Sequence, residues 1–248
     1  MVLWILLPVS LSLVSLIGTW TVYALAFNNN HVCPLGNWEI KDYCQTNETA
    51  SCCRVPTISS SGISAPENSL FTATINAGSF LFLLFSIAHH AHIMEKNFTC
   101  SMLSKFALVF GVVASLGAFV AGNCNPGYLY LLHYLGAGSS FVCICFYTVL
   151  LTSLTGRCAL TGCEKVLYPM RIISTAIQII VTIFYCILFA QADYWCQLVG
   201  AVFEWTLSVN LELFELSYAV EFCFFSSSMF SNLLEKRDEE KPFMLGMS

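Results

Sequence analysis

The sequence predicts an all-α integral membrane protein, a bundle of six transmembrane helices with both termini in the cytosol. Three observations carry that expectation. Of the 248 residues, 57% are hydrophobic and only 10% are charged, against about 25% charged in a soluble domain. No Asp, Glu, Lys or Arg occurs in residues 1–38, 68–94, 106–156 or 172–192, and each window is long enough for a crossing of about 20 apolar residues. The basic residues between these windows fall unevenly, and that asymmetry sets the orientation.

The first span, residues 2–27, contains no basic residue. It is longer than the apolar core of a secretory signal, so it is expected to stay on the chain despite the passable cleavage site Ala24-Leu25-Ala26. Trp4, Trp20 and Tyr23 lie near its ends, where amphipathic rings prefer the headgroup level. The long loop 28–68 follows, with Cys33, Cys44, Cys52 and Cys53. In an oxidising compartment these four form two disulfides, in any of three connectivities. A zinc site is the rival, but their spacings match no usual ligand pattern.

The second span occupies residues 68–94. The third and fourth share the 51-residue window 106–156, divided by the turn formers Asn123-Cys124-Asn125-Pro126-Gly127. The fifth covers residues 172–192. The sixth, residues 194–226, is apolar but carries Glu204, Glu212, Glu215 and Glu221. Residues 1–226 thus form one six-span membrane domain and residues 227–248 a short cytosolic tail, which leaves no room for a separate soluble catalytic domain.

With the N-terminus in the cytosol, Lys96, Lys105, Arg157, Lys165, Arg171, Lys236, Arg237 and Lys241 fall on the cytosolic side and only Lys41 and Arg54 outside. Eight against two favours this orientation. It places the sequon Asn47-Glu48-Thr49 outside, as the expected glycosylation site, and makes Asn97-Phe98-Thr99 a chance match. Cys124 and Cys196 then sit at outer helix ends, where a further bridge requires Cα atoms within about 7 Å. Cys158 and Cys163, on the cytosolic side, are candidates for palmitoylation. Small residues recur at helical spacing, Ala114, Ala118 and Gly122 with Gly111 and Ser115, and then Gly136, Gly138, Ser139 and Ser140. They let backbones approach closely, within one bundle or, as the alternative, across a homo-oligomer face.

His89, His90 and His92 end the second span. With only Glu95 nearby they complete no metal site, so they read as interfacial polar residues. His133, alone on the fourth span, carries no argument. On the sixth helix, at 100° per residue, Glu215 lies about 20° from Glu204 and Glu212 about 80° away. These three carboxyls form an intramembrane polar face that should look into the bundle. An ionised carboxyl at mid-membrane costs about 2.5–3.5 kcal/mol on insertion scales, so hydrogen bonds or a basic partner are required. Lys105 and Arg171 are the basic residues set inside helix ends, within reach of Glu215 or Glu221 but not of Glu204. The face is either a cation or proton path or a set of hydrogen-bonded carboxyls that fix helix register. No nucleophile with an adjacent base and no metal cluster is recognisable, so no catalytic, metal or cofactor site is expected, and the protein is read as a non-enzyme.

The chain resembles the damage-regulated autophagy modulator and transmembrane protein 150 family, related to a fungal suppressor of a phosphatidylinositol 4-kinase defect. The motifs carrying the resemblance are residues 4–12, Gly18-Thr19-Trp20-Thr21-Val22-Tyr23-Ala24, His31-Val32-Cys33-Pro34 with Asn37-Trp38, Pro56-Thr57-Ile58-Ser59, Pro66-Glu67, Leu132-His133-Tyr134-Leu135-Gly136-Ala137-Gly138, Glu204-Trp205 and Glu221-Phe222. They look most like the A branch of the transmembrane protein 150 group. The chain departs from the family pattern at Cys124-Asn125, at Phe203, and at Glu212 and Glu215, where apolar residues are usual. The resemblance implies a plasma-membrane adaptor that works with a peripheral scaffold to place a phosphatidylinositol 4-kinase and support phosphoinositide homeostasis. The family's other branches imply an endosomal or lysosomal modulator of autophagy, or a component of mechanically activated cation channels. A nucleic-acid partner is not expected.

Overall fold

A computed structural model describes residues 2–36, 53–158, 160–191 and 193–225. Six long helices dominate: α1 (Leu6–Asn28), α3 (Glu67–Lys96), α4 (Ser101–Asn123), α5 (Tyr130–Arg157), α6 (Glu164–Phe189) and α7 (Tyr194–Leu216). Two single-turn helices, α2 (Ile58–Ser61) and α8 (Ala219–Phe222), complete the α-helical set among the described residues. A lone parallel bridge between Val32 and Arg54 is the extended pairing present there.

Five helices, α1 and α3 to α6, are long and apolar enough to cross a membrane. The sixth, α7, has 23 residues and so spans about 35 Å, but it carries the glutamates. The long helices form a closed ring in which each packs on its neighbour in sequence and α7 returns to α1. The closure is antiparallel, because Ser12 Oγ donates to the Glu212 carbonyl at 2.9 Å, Trp20 meets Trp205 and Trp4 meets Phe225. The two ends of the described chain therefore lie at the same end of the bundle.

On the outer helices small and polar side chains turn inward and large apolar ones outward, unlike the pattern of a soluble bundle. On α4, Phe106, Val109, Val113 and Leu116 are exposed, while Ser104, Ala107, Gly111 and Ala114 are buried. On α6, Ile173, Ile180, Ile183 and Ile187 face outward, and Arg171, Thr175, Gln178 and Thr182 face inward. With lipid outside, hydrocarbon gains nothing by burial, and packing and hydrogen bonds decide which residues turn inward.

Two helix boundaries differ from expectation. The fifth helix starts at Glu164, before the charge-free window, because Arg171 is buried in an ion pair inside the ring. The sixth ends at Leu216, not near residue 226. A turn at Ser217 and Tyr218 separates it from α8, and Phe222 and Phe225 join Phe85 and Tyr218 in a buried aromatic cluster.

Candidate functional site

The ring encloses a partly open cavity of about 190 Å³ between two apolar clusters. Ile58 and Phe71 bound it at the α2 end, and Phe82 and Ile144 toward the α8 end. Glu204, Glu212 and Glu215 all line it and all are buried. Each is held differently.

Glu204 fastens α2. Thr57 caps that short helix by accepting from the Ser60 N–H at 2.9 Å. The Ile58 N–H donates to Glu204 Oε2 at 3.2 Å, and Ser59 Oγ approaches Glu204 Oε1 at 3.4 Å. The next residue, Trp205, donates its indole N–H to the Pro56 carbonyl at 2.9 Å. His133 meets the same seryl group, with Nε2 3.0 Å from Ser59 Oγ and Nδ1 2.8 and 2.9 Å from the Ala121 and Cys124 carbonyls. Carbonyls only accept, so Nδ1 carries a proton.

A serine beside an oriented imidazole is half of a nucleophile–base pair, and sequence reasoning missed it because Ser59 and His133 lie 74 residues apart. The Ile58 and Ser60 N–H groups that might have held an oxyanion are already taken by Glu204 and Thr57. The cluster's evident role is to anchor α2 to α5 and α7.

Glu212 and Glu215 are one turn apart. Glu212 Oε1 accepts from Ser208 Oγ at 3.0 Å, whereas Oε2 has no hydrogen-bond partner among the described residues. Behind them, Asn210 donates to Gln178 Oε1 at 2.7 Å and to the Ser174 carbonyl at 3.0 Å, pinning α7 to α6.

Toward α8, Arg171 is fully buried and pairs with Glu221 through Nη1. Its other contacts are Thr155 Oγ1 at 2.7 Å, Ser217 Oγ and the Ser217 carbonyl at 3.0 Å each, and the Tyr218 ring, whose centroid is 3.4 Å from Cζ. Glu221 Oε2 lies 3.3 Å from His89 Nε2, an ion-pair distance outside hydrogen-bond geometry. Arg171 therefore meets Glu221 rather than Glu215, and Lys105 is exposed. The interfacial reading of the histidines is corrected: His89 and His92 are buried inside the bundle, His92 stacking on Phe225 at 4.1 Å, and only His90 sits half-buried beside Ser104. Both are covered by the segment after α7, which brings Glu221 to His89 and Phe225 to His92.

Of the four loop cysteines, Cys33 and Cys53 form a disulfide with Cα atoms 4.9 Å apart. Cys44, Cys52 and the sequon residue Asn47 lie outside the described residues. Cys124 and Cys196 are free thiols, so the further bridge is not made. Cys158 is buried against Cys100, with sulfurs 3.0 Å apart, and burial pushes its thiol up to about 12. A buried, protonated thiol is a poor acyl acceptor, which leaves exposed Cys163 as the palmitoylation candidate.

Residues 3–223 match the family model of the Frag1/DRAM/Sfk1/Cwh43P N-terminal domain. The chain is 31% identical to Transmembrane protein 150A of Xenopus laevis over 227 residues, covering 88% of this chain and 83% of the relative. Against Transmembrane protein 150A of Homo sapiens it is 31% identical over 230 residues, 90% and 84% of the two chains. Modulator of macroautophagy TMEM150B-A of Xenopus laevis is 25% identical over 224 residues, 88% and 86% of the two chains. No solved structure matches.

Proposed function

The chain belongs to the Frag1/DRAM/Sfk1/Cwh43P family, and on that premise we propose that it is a non-catalytic, multi-pass membrane adaptor that helps localise a phosphatidylinositol 4-kinase complex at the plasma membrane. The observation that carries this reading is the similarity to Transmembrane protein 150A, at 31% identity over nearly the whole chain, against 25% to the macroautophagy modulator. The modulator of autophagy in endosomal or lysosomal membranes is the second reading, favoured by the relatives that bear that name over the same extent of chain.

In this account α7 is a sixth span. Its glutamates are turned away from lipid, and it closes the ring on α1 at full bilayer length. Six crossings return the chain to its starting side, in keeping with the contact of Trp4 with Phe225. The basic residues assign that side to the cytosol. Asn47→Gln is then expected to abolish a glycosidase-sensitive mobility shift and Asn97→Gln to leave it unchanged. A shift that survives loss of Asn47 and disappears with Asn97 inverts the orientation.

Without catalytic chemistry the protein acts on lipid phosphorylation by binding, through the loops near residues 94–104 and 155–170 or the tail. The tail, outside the described residues, joins Leu233-Leu234 to the charge run 235–241 and then to Pro242-Phe243-Met244-Leu245. Apolar groups on both sides of the run anchor a partner and the charges set its orientation and salt dependence. Deleting residues 233–248 is expected to leave surface delivery intact and to slow recovery of phosphatidylinositol 4,5-bisphosphate after phospholipase C depletion, followed with a fluorescent lipid reporter. Normal recovery in cells lacking the whole protein contradicts the adaptor role, whereas normal recovery with the deletion alone moves the contact to the loops.

A further inference from the structure

We propose that the chamber inside the helix ring binds a membrane-borne amphiphile that carries a protonated amine on a single hydrocarbon chain, the amine seated on Glu212 and Glu215. The inference is independent of the adaptor reading, which needs only the cytosolic surface.

Shape and lining select the class of ligand. The walls are mainly hydrocarbon, among them Leu11, Phe82, Ile144 and Leu207, and offer an apolar chain a matching surface. For scale, an engineered cavity of about 150 Å³ holds a benzene molecule, so about 190 Å³ takes an amine and the first carbons of one chain but not the body of a two-chain lipid. Glu204 and Glu215 are 11 residues apart on one helix, which is about 16 Å along its axis, so the chamber is long and carboxyl-lined at both ends.

The second observation is an unmet acceptor. Glu212 is 6% exposed, its Oε1 is satisfied by Ser208, and its Oε2, which has no partner among the described residues, belongs to a side chain lining the cavity. Buried polar atoms are almost always hydrogen-bonded, and one that is not calls for a ligand, ion or water. Among the described residues no lysine or arginine lines the chamber to supply the bond, and buried Arg171 is already committed to Glu221. An ammonium group brings three donors and no acceptor, which suits two neighbouring carboxyls. Two carboxyls repel an anionic headgroup. Hydroxyls such as those of Ser15, Ser79 and Ser115 also line the chamber, but a bare metal cation wants a shell of six or more oxygens, and among the described residues no group of three or more His, Cys, Asp or Glu is placed to hold one. An alcohol offers one donor and no charge, so it leaves most of the site unanswered.

The test uses purified full-length protein in nanodiscs and a photoreactive long-chain alkylamine with a diazirine on its chain. Labelled peptides are expected to map to the chamber walls. Dodecylamine is expected to compete, dodecanol to compete at least tenfold more weakly and dodecanoate not at all. Glu212→Gln with Glu215→Gln is expected to reduce labelling at least tenfold while eluting as the wild type does, since amides keep hydrogen bonding without buried charge. Ala114→Leu, which keeps both carboxyls and narrows the chamber at a buried lining position, is expected to lose labelling as well, so the proposal stays testable if the glutamine variants misfold. Equal competition by dodecanol, displacement by sodium or potassium at constant ionic strength, labelling confined to the outer helix faces, or undiminished labelling of either folded variant overturns it.

Discussion

Arg171→Met is expected to destabilise the purified protein by about 3–5 kcal/mol, the range for removing one partner of a buried ion pair. The loss comes mostly from what remains. Without the guanidinium, Glu221 stays buried with its countercharge removed, and Thr155 and the Ser217 carbonyl lose a donor each. The arginine also closes the structure, since it joins α6 to α5 through Thr155 and to the chain turn after α7 through Ser217 and Tyr218. The double variant Arg171→Met with Glu221→Leu should recover most of the loss, because a buried pair replaced by well-packed apolar residues is often neutral. Thermal unfolding followed by size-exclusion chromatography reads both. Equal damage from the single and double variants would mean that the side chains act separately and not as a pair.

Gly136→Val is expected to cost about 1–3 kcal/mol or more by overpacking, and to disrupt the α4–α5 seam first. A Cβ placed on Gly136 would lie 2.7 Å from the Gly117 carbonyl oxygen and 2.9 Å from the Ala121 nitrogen. These are backbone atoms of α4, so no rotamer change relieves the clash. The seam is reciprocal, because a Cβ on Gly117 meets the Gly136 carbonyl at 2.7 Å. Gly138, two residues along the same helix, has nothing within 4 Å of an added Cβ. Gly138→Ala is therefore expected to be neutral or to stabilise by a few tenths of a kcal/mol through helix propensity. If Gly138→Ala instead breaks an oligomer while leaving the fold intact, the open face of α5 is an interface between copies of the chain.

Helix positions were legible in the sequence where the bilayer imposes them. Residues 68–94 lack charge because that stretch crosses hydrocarbon, and α3 runs from Glu67 to Lys96. The break at Asn123 to Gly127 separates α4 from α5 because a proline and turn formers cannot continue a helix. Legibility ended where charge is paired. Arg171 looks like a helix boundary until its partner is known, so the start of α6 was placed too late and the end of α7 too far along the chain. Glu221 was within the reach assigned to Arg171, but no spacing rule connects it with His89, 132 positions earlier. The same holds for Ser59, His133 and Glu204, which come together only because the ring closes and α2 folds over its end. Helical periodicity puts Glu204, Glu212 and Glu215 on one face of a helix, while the cavity that they line could not be read from it, since an empty volume leaves no mark on a single helix.

The adaptor role is tested most directly by proximity labelling in intact cells from an enzyme fused to the C-terminal tail of the full-length protein. The account predicts enrichment of a phosphatidylinositol 4-kinase and its peripheral scaffold at the plasma membrane, above a multi-pass control of equal abundance. Neighbours drawn instead from the autophagy machinery and endolysosomal membranes, with no lipid kinase among them, would contradict it.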